Sequence, residues 1–195
     1  MEPQDTALWS AFLRGDEQSA AALIKLYYNT LINYGNRFCT DKDLVKDSIQ
    51  DLFLYLWANR ATLKETQHVK FYILKAYRRR LLKEVLKSKK YVSQNFDEDQ
   101  QFDLQLITES SAENQLIDSE YNGALAEKMK RIVSMLSRRQ QEIIYLKFYL
   151  DTDQKKIADI MGLSQQAVYN LLYDALKKLR LISKGDRKIF FSVFF

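Results

Sequence analysis

The stretch from Gln154 to Arg180 constrains the fold of this chain more than any other. Apolar residues recur at helical spacing on both sides of Gly162, and Ser164 stands where it can cap a second helix. Glycine takes a left-handed turn at no steric cost, so the pattern predicts two helices joined by a tight turn. The expected buried face of the second helix comprises Val168, Leu171, Leu172, Ala175, Leu176 and Leu179.

The spacing in this stretch is typical of a DNA-binding helix-turn-helix. The order A-x3-G-x5-V-x2-L is formed by Ala158, Gly162, Val168 and Leu171. This motif needs a small residue where the helices cross, glycine at the turn and apolar residues where the second helix packs back. An ordinary helical hairpin is the alternative, but it does not require these features together with a polar outer face. The side chains expected to read base edges and hold phosphates are Ser164, Gln165, Gln166, Tyr169, Asn170, Tyr173 and Lys177.

Composition favours an all-α protein. The 195 residues include five glycines and one proline, too few for a turn-rich β protein, and few segments alternate with a period of two. The single cysteine, Cys39, excludes an internal disulfide, suits the cytoplasm and is expected to be a buried thiol. We find no signal peptide and no apolar run long enough to span a membrane, so direct membrane insertion is not expected.

Charge divides the chain into blocks. Residues 70–90 contain nine Lys and Arg and one acid, whereas residues 91–127 contain nine acids and no Lys or Arg. Residues 177–188 are basic again. We therefore predict two small helical domains, 1–90 and 120–195, joined by an acidic flexible linker at 91–119. The net charge of +5 permits a polyanionic partner.

Four helices are predicted in the first domain, at Thr6–Arg14, Ser19–Cys39, Asp43–Ala58 and Val69–Leu86. The outer side of the third carries Lys46, Asp47, Gln50, Asp51 and the apolar Leu54. An exposed leucine beside carboxylates is either incidental or part of a docking face for a partner helix.

The fourth helix carries a dense basic side with Tyr72 and Tyr77 interleaved. Such a face is often merely solvated, but so little compensating acid favours a bound polyanion, and tyrosines beside arginines suit unstacked bases. The basic residues expected on this side are Lys75, Arg78, Arg79, Arg80, Lys83 and Lys87.

The second domain is expected to begin with a helix at Glu120–Leu136. Ser137 and Gln140 then form a capping-box pattern that opens a helix through Tyr149. The apolar tail Ile189–Phe195 is predicted to fold back onto this domain, with a docking strip for a partner as the alternative. We predict no metal site and no cofactor, because neither His68 nor Asp97–Asp99 has ligand spacing around it.

With these parts in this order, the chain resembles a bacterial RNA polymerase sigma factor of the extracytoplasmic-function group of the sigma-70 family. The segment Asp43–Trp57 is similar to the helix that binds core polymerase, and Val69–Lys90 is similar to the helix that recognises and opens the −10 promoter element. The segment Leu136–Arg180 resembles the domain that reads the −35 element.

The resemblance implies roles by position. Asp47, Gln50, Asp51 and Leu54 would face the polymerase clamp helices, and the flap of core polymerase would be a second contact. Tyr72, Lys75, Arg78, Arg79, Arg80, Lys83 and Lys87 would contact −10 DNA, and the loop Thr62–Lys70 would capture a flipped base. The acidic linker would thread channels that RNA later occupies. An anti-sigma factor is implied as a further partner, and no small-molecule substrate is implied.

Two residues depart from the family pattern. Arg79 stands where family members commonly carry Asn, and Lys83 stands where they commonly carry an acid. The extra positive charge should make contact with −10 DNA less sequence-selective and more sensitive to salt.

One alternative to a sigma factor is a free-standing helix-turn-helix regulator with a sensing domain at residues 1–90, but a sensing domain has no need of the basic helix. A second, an enzyme acting on nucleic acid, needs clustered carboxylates or a placed nucleophile, and we find neither.

Overall fold

The chain divides into two compact units, Met1–Gln94 and Asn95–Phe195, which are described separately. The computed structural model describes residues 3–90 of the first and residues 131–182 of the second. Regular structure within these two ranges is entirely helical and includes no strand. The predicted all-α fold is therefore confirmed.

The first unit contains four α-helices. They are α1 (Pro3–Leu13), α2 (Glu17–Gly35), α3 (Lys42–Ala58) and α4 (Val69–Lys90), with a 3-10 turn at Arg60–Thr62 after α3. Carboxylates cap two of them: the Asp16 side chain accepts from the Ser19 amide, and the Asp41 side chain accepts from the amides of Asp43 and Leu44. Each cap satisfies amides that have no partner within the helix.

The C-terminal ends of α2 and α4 each differ from the sequence prediction by four residues. α2 ends at Gly35 rather than Cys39, because the amides of Phe38 and Cys39 both turn back to the Gly35 carbonyl. Cys39 consequently lies after the helix and is half-buried rather than buried. α4 continues past Leu86 to Lys90.

A close crossing joins α2, α3 and α4 in the core of the first unit. Tyr77 of α4 is fully buried, and its hydroxyl donates to the Val45 carbonyl of α3 at 3.5 Å. A Cβ atom on Gly35 would overlap that hydroxyl and would lie 2.8 Å from Val45 Cγ1. Burial raises the pKa of Tyr77 far above the ordinary tyrosine value, so the ring stays neutral.

The described part of the second unit begins with a helical segment at 131–134. α5 (Arg138–Ile144) follows and continues as a π-helical turn at Tyr145–Tyr149. The predicted capping box is confirmed: the Gln140 amide donates to Ser137 Oγ, and the Ser137 amide donates to Gln140 Oε1. α6 (Gln154–Met161) and α7 (Gln165–Ile182) complete the described chain, and α7 packs against both α5 and α6.

Several sequence predictions lie outside the described residues. They concern the linker at 91–119, most of the helix at Glu120–Leu136 and the tail Ile189–Phe195. The domain boundaries also stay predictions.

Among the helices at 3–90 and 131–182, none combines the length and apolarity that crossing a bilayer requires.

Candidate nucleic-acid interface

A capped, tightly turned pair of helices presents the outer face of α7. The Asp153 side chain accepts from the Lys156 amide at 2.8 Å, and this hydrogen bond lowers the pKa of the Asp153 carboxyl. Gly162 ends α6 in the left-handed conformation, with φ of 66°. Ser164 Oγ then accepts from the Ala167 amide at 3.1 Å and caps α7. The turn predicted from the sequence therefore forms as expected.

The two sides of α7 separate largely as the sequence pattern predicts, although Leu171 and Leu176, which were expected on the buried face, are only half-buried. Its buried residues are Val168, Leu172, Ala175 and Leu179. All seven residues predicted to read DNA are exposed: Ser164, Gln165, Gln166, Tyr169, Asn170, Tyr173 and Lys177. Because α6 and α5 cover the opposite side, this outer face can enter a groove without disturbing the core.

Two amides on the outer face of α7 contact each other. Gln166 Nε2 donates to Asn170 Oδ1 at 3.0 Å, across one helical turn. This contact leaves Gln166 Oε1 as an acceptor and the Asn170 Nδ2 group as a donor. An acceptor and a donor held side by side match the donor–acceptor pairs on base edges in the major groove.

On α4, four of the predicted basic residues form one exposed stripe at intervals of four. This basic stripe comprises Lys75, Arg79, Lys83 and Lys87. Lys87 also pairs with Glu84 at 2.9 Å, an exposed contact that contributes little to stability.

The prediction that Arg78 and Tyr77 lie on the exposed basic side of α4 is wrong. Arg78 is 7% exposed and Tyr77 is fully buried. Three consecutive arginines cannot share one side of a helix, because each residue turns the side chain by about 100°. Arg78 follows the buried Leu74 by four residues, so it lies on the core side while Arg79 points outward.

Tyr72 and Arg80 lie at the margins of the basic stripe. The half-buried Tyr72 ring packs against Trp9 of α1 at 5.3 Å between centroids, and burial raises the pKa of its hydroxyl. Arg80 is half-buried and reaches α3, where it pairs with Asp51 at 3.8 Å and lies over the Tyr55 ring at 5.6 Å. Arg80 therefore links α4 to α3.

The outer face of α3 brings together the residues predicted to bind core polymerase. Asp47, Gln50, Asp51 and Leu54 are all exposed and recur at helical spacing. Leu54 is 58% exposed, and the neighbouring Tyr55 is 52% exposed. Tyr55 was not predicted to belong to this face, although its position four residues after Asp51 places it on the same side of the helix.

The loop before α4 is fastened to α1. Trp9 Nε1 donates to the Lys64 carbonyl at 3.2 Å, and Ser10 Oγ donates to Glu65 Oε2 at 2.8 Å. A cleft of about 350 Å³ lies between helix and loop, lined by Thr6, Ala7, Ser10, Glu65, Thr66 and Gln67. The contact between α1 and this loop was not predicted from the sequence, because the residues that form each hydrogen bond are 55 positions apart.

One family model matches part of the second unit. Residues 126–179 match the family model of sigma-70 region 4, a range that includes α5, α6 and most of α7. No curated protein sequence matches the chain.

Solved structures share the fold of the chain. The sigma factor RpoE from Bartonella quintana, in complex with the anti-sigma factor NepR, has a TM-score of 0.63 at 19% identity, covering 86% of this chain and 98% of that chain. CnrH, in complex with the cytosolic domain of CnrY, has a TM-score of 0.62 at 16% identity, covering 93% of this chain and 98% of that chain. The region 4 match confirms the resemblance to the sigma-70 family for residues 126–179, and the two solved structures show that the chain shares their fold.

Proposed function

We propose that this protein is a sigma factor, a non-enzymatic subunit that binds core RNA polymerase in the cytoplasm and directs it to promoters. The observation that carries the proposal is the polar outer face of α7, which lies within the region 4 match and opposite a fully apolar side. In this proposal α7 enters the major groove of the −35 element. The amides of Gln166 and Asn170 read base edges there, and Lys177 contacts phosphate.

The first unit would recognise and open the −10 element. The basic stripe of α4 supplies four exposed cations, which attract the phosphates of a melted strand. The loop Thr62–Lys70 would receive a flipped base. Arg79 and Lys83 belong to this stripe, so their extra charge supports the expectation of salt-sensitive and weakly selective contact with −10 DNA.

Two protein partners follow from the same proposal. The exposed face of α3 has an apolar centre and a carboxylate rim, which suits a partner helix on core polymerase. An anti-sigma factor is the second partner, because RpoE was solved with the anti-sigma factor NepR.

Run-off transcription with core polymerase and a promoter library tests the function directly. Gln166→Ala or Asn170→Ala is expected to change −35 preference by about 1–3 kcal/mol per lost base contact. Lys178→Ala is the control, since Lys178 is exposed on α7 but is not one of the predicted reading residues. Unchanged preference in both amide variants would mean that another face of α7 reads DNA. Specific duplex binding without polymerase would instead support a free-standing regulator.

Asp51→Asn is expected to release Arg80 for contact with DNA phosphate. The free protein should then bind single-stranded DNA about twofold to threefold more tightly, because a partly exposed ion pair such as Arg80–Asp51 contributes less than about 1 kcal/mol. The slope of log affinity against log salt should steepen by about 0.7, as expected for one more phosphate contact. Fluorescence anisotropy across a KCl series measures both quantities.

Asp47→Asn provides the matched control for that experiment. It removes the same charge from the same face of α3, while the ion pair with Arg80 is made by Asp51. Equal salt slopes in the two variants would show that Arg80 gains no phosphate contact.

A further inference from the structure

An exposed carboxylate, Asp174, lies on the outer face of α7 beside the amides assigned to base reading. Gln166, Asn170 and Asp174 recur at intervals of four residues, so they form one polar row along the helix. Leu172 and Ala175 are buried, which holds the opposite side of this part of α7 in the core. A groove that receives the two amides therefore also approaches the carboxylate.

The Asp174 carboxylate has no partner within the described residues. It makes no hydrogen bond and no ion pair there, although Lys177 and Lys178 follow at the spacing of helical ion pairs. Aspartate is also one of the weaker helix formers. Because the exposed Asp174 adds neither pairing nor helix propensity to α7, its side chain is available to a ligand.

A free carboxylate on a base-reading face favours one base. An ionised carboxylate accepts hydrogen bonds and donates none. In the major groove, cytosine presents its N4 amino donor alone, adenine presents an amino donor beside the N7 acceptor, and guanine and thymine present acceptors and no donor. The carboxylate therefore matches cytosine best.

The same negative charge is repelled by DNA phosphates, whichever bases they carry. An acid on this face consequently lowers the affinity for DNA in general. It can favour binding only at a site where it gains a hydrogen bond from a base, and this makes Asp174 a residue of selectivity rather than of affinity.

We propose that Asp174 is a specificity-determining residue that selects cytosine by accepting a hydrogen bond from the N4 amino group. This inference rests on the proposed function, in which α7 reads the −35 element, and it adds a residue and a base preference to that function. Four helical residues advance by about 6 Å, and successive base pairs lie about 3.4 Å apart. The selected cytosine should therefore lie about two base pairs from the position that Asn170 reads.

Run-off transcription with the full chain, core polymerase and a library randomised across the −35 element tests the proposal. The wild-type protein should favour cytosine at one position by about tenfold. Asp174→Asn should lose that preference and shift it towards adenine, since an amide can accept from the adenine N6 amino group and donate to N7. The position that responds to Asn170→Ala should keep its preference in Asp174→Asn.

Asp151→Asn is the matched control for the loss of one negative charge. Asp151 is exposed in the turn before α6, away from the outer face of α7, and its φ of 46° is one that asparagine tolerates. This variant should retain the cytosine preference of the wild-type protein. Because Asp174 is exposed, Asp174→Asn should leave the melting temperature unchanged, which separates altered selection from unfolding.

The outcomes distinguish this inference from the proposed function. No initiation by the wild-type protein on any template would overturn the proposed function. Initiation without a cytosine preference at any position would overturn the inference alone. A uniform rise in initiation by Asp174→Asn on all sequences, with every base preference unchanged, would also overturn it, because the carboxylate would then only repel phosphate.

Discussion

Gly35→Ala is expected to lower the free energy of unfolding of the first unit by about 2–3 kcal/mol. The added methyl group would overlap the Tyr77 hydroxyl and crowd Val45, at a point where α2, α3 and α4 meet. Tyr77 is fully buried, so its ring cannot move into solvent to make room. Because Trp9 and Trp57, the two tryptophans of the chain, both lie in the first unit, their fluorescence during urea denaturation reports this loss.

Tyr77→Phe supplies the control for that experiment. Removing the hydroxyl gives up only a long hydrogen bond of 3.5 Å to the Val45 carbonyl, so the single variant should cost about 1 kcal/mol. In the Tyr77→Phe background, Gly35→Ala should cost less than it does alone, which a double-mutant cycle measures. Additive effects would show that Val45, rather than the hydroxyl, is the obstacle.

Leu54→Asp is expected to weaken binding to core polymerase by at least about thirtyfold, since a central apolar anchor is typically worth 2 kcal/mol or more. An aspartate there would also add repulsion beside Asp47 and Asp51. Stability should be unchanged, because the Leu54 side chain is 58% exposed. Titration of labelled protein with core polymerase measures the affinity, and tryptophan fluorescence confirms the fold.

Leu26→Asp is the matched control for Leu54→Asp. Leu26 is 43% exposed on α2 of the same unit, outside the face assigned to polymerase. The Leu26→Asp variant should bind core polymerase as the wild-type protein does. Equal losses in the two variants would point to a general effect of added charge, and wild-type binding by Leu54→Asp would remove α3 from the interface.

Local chemistry made the helix-turn-helix predictable. Gly162, Ser164 and the apolar period of α7 specify the turn, the cap and the buried side through interactions a few residues long. The capping box at Ser137 and the outer face of α3 were predictable for the same reason. In each case the residues that carry the signal span a shorter stretch of chain than the helix that they define.

Contacts between distant residues could not be predicted in this way. The bond from Ser10 to Glu65 and the crossing of Gly35 with Tyr77 depend on how the helices pack. Arg78 shows a related difficulty: in a run of three arginines, composition does not reveal which one turns inward. The phase of α4 is set by its apolar residues, and Leu74 and Leu81 place Arg78 on the core side.

The hydrogen bond between Gln166 and Asn170 changes how α7 would choose among sequences. Before DNA arrives, the two amides already share one hydrogen bond, so a base pair can either use the acceptor and donor that remain or compete with that bond. A mismatched site can leave that internal bond intact and lose little, whereas a matching site must extend or replace it. Base selection at this position therefore depends on the difference in free energy between the amide pair alone and the amide pair bound to a base. Replacing one amide also changes which hydrogen-bonding groups the other has available.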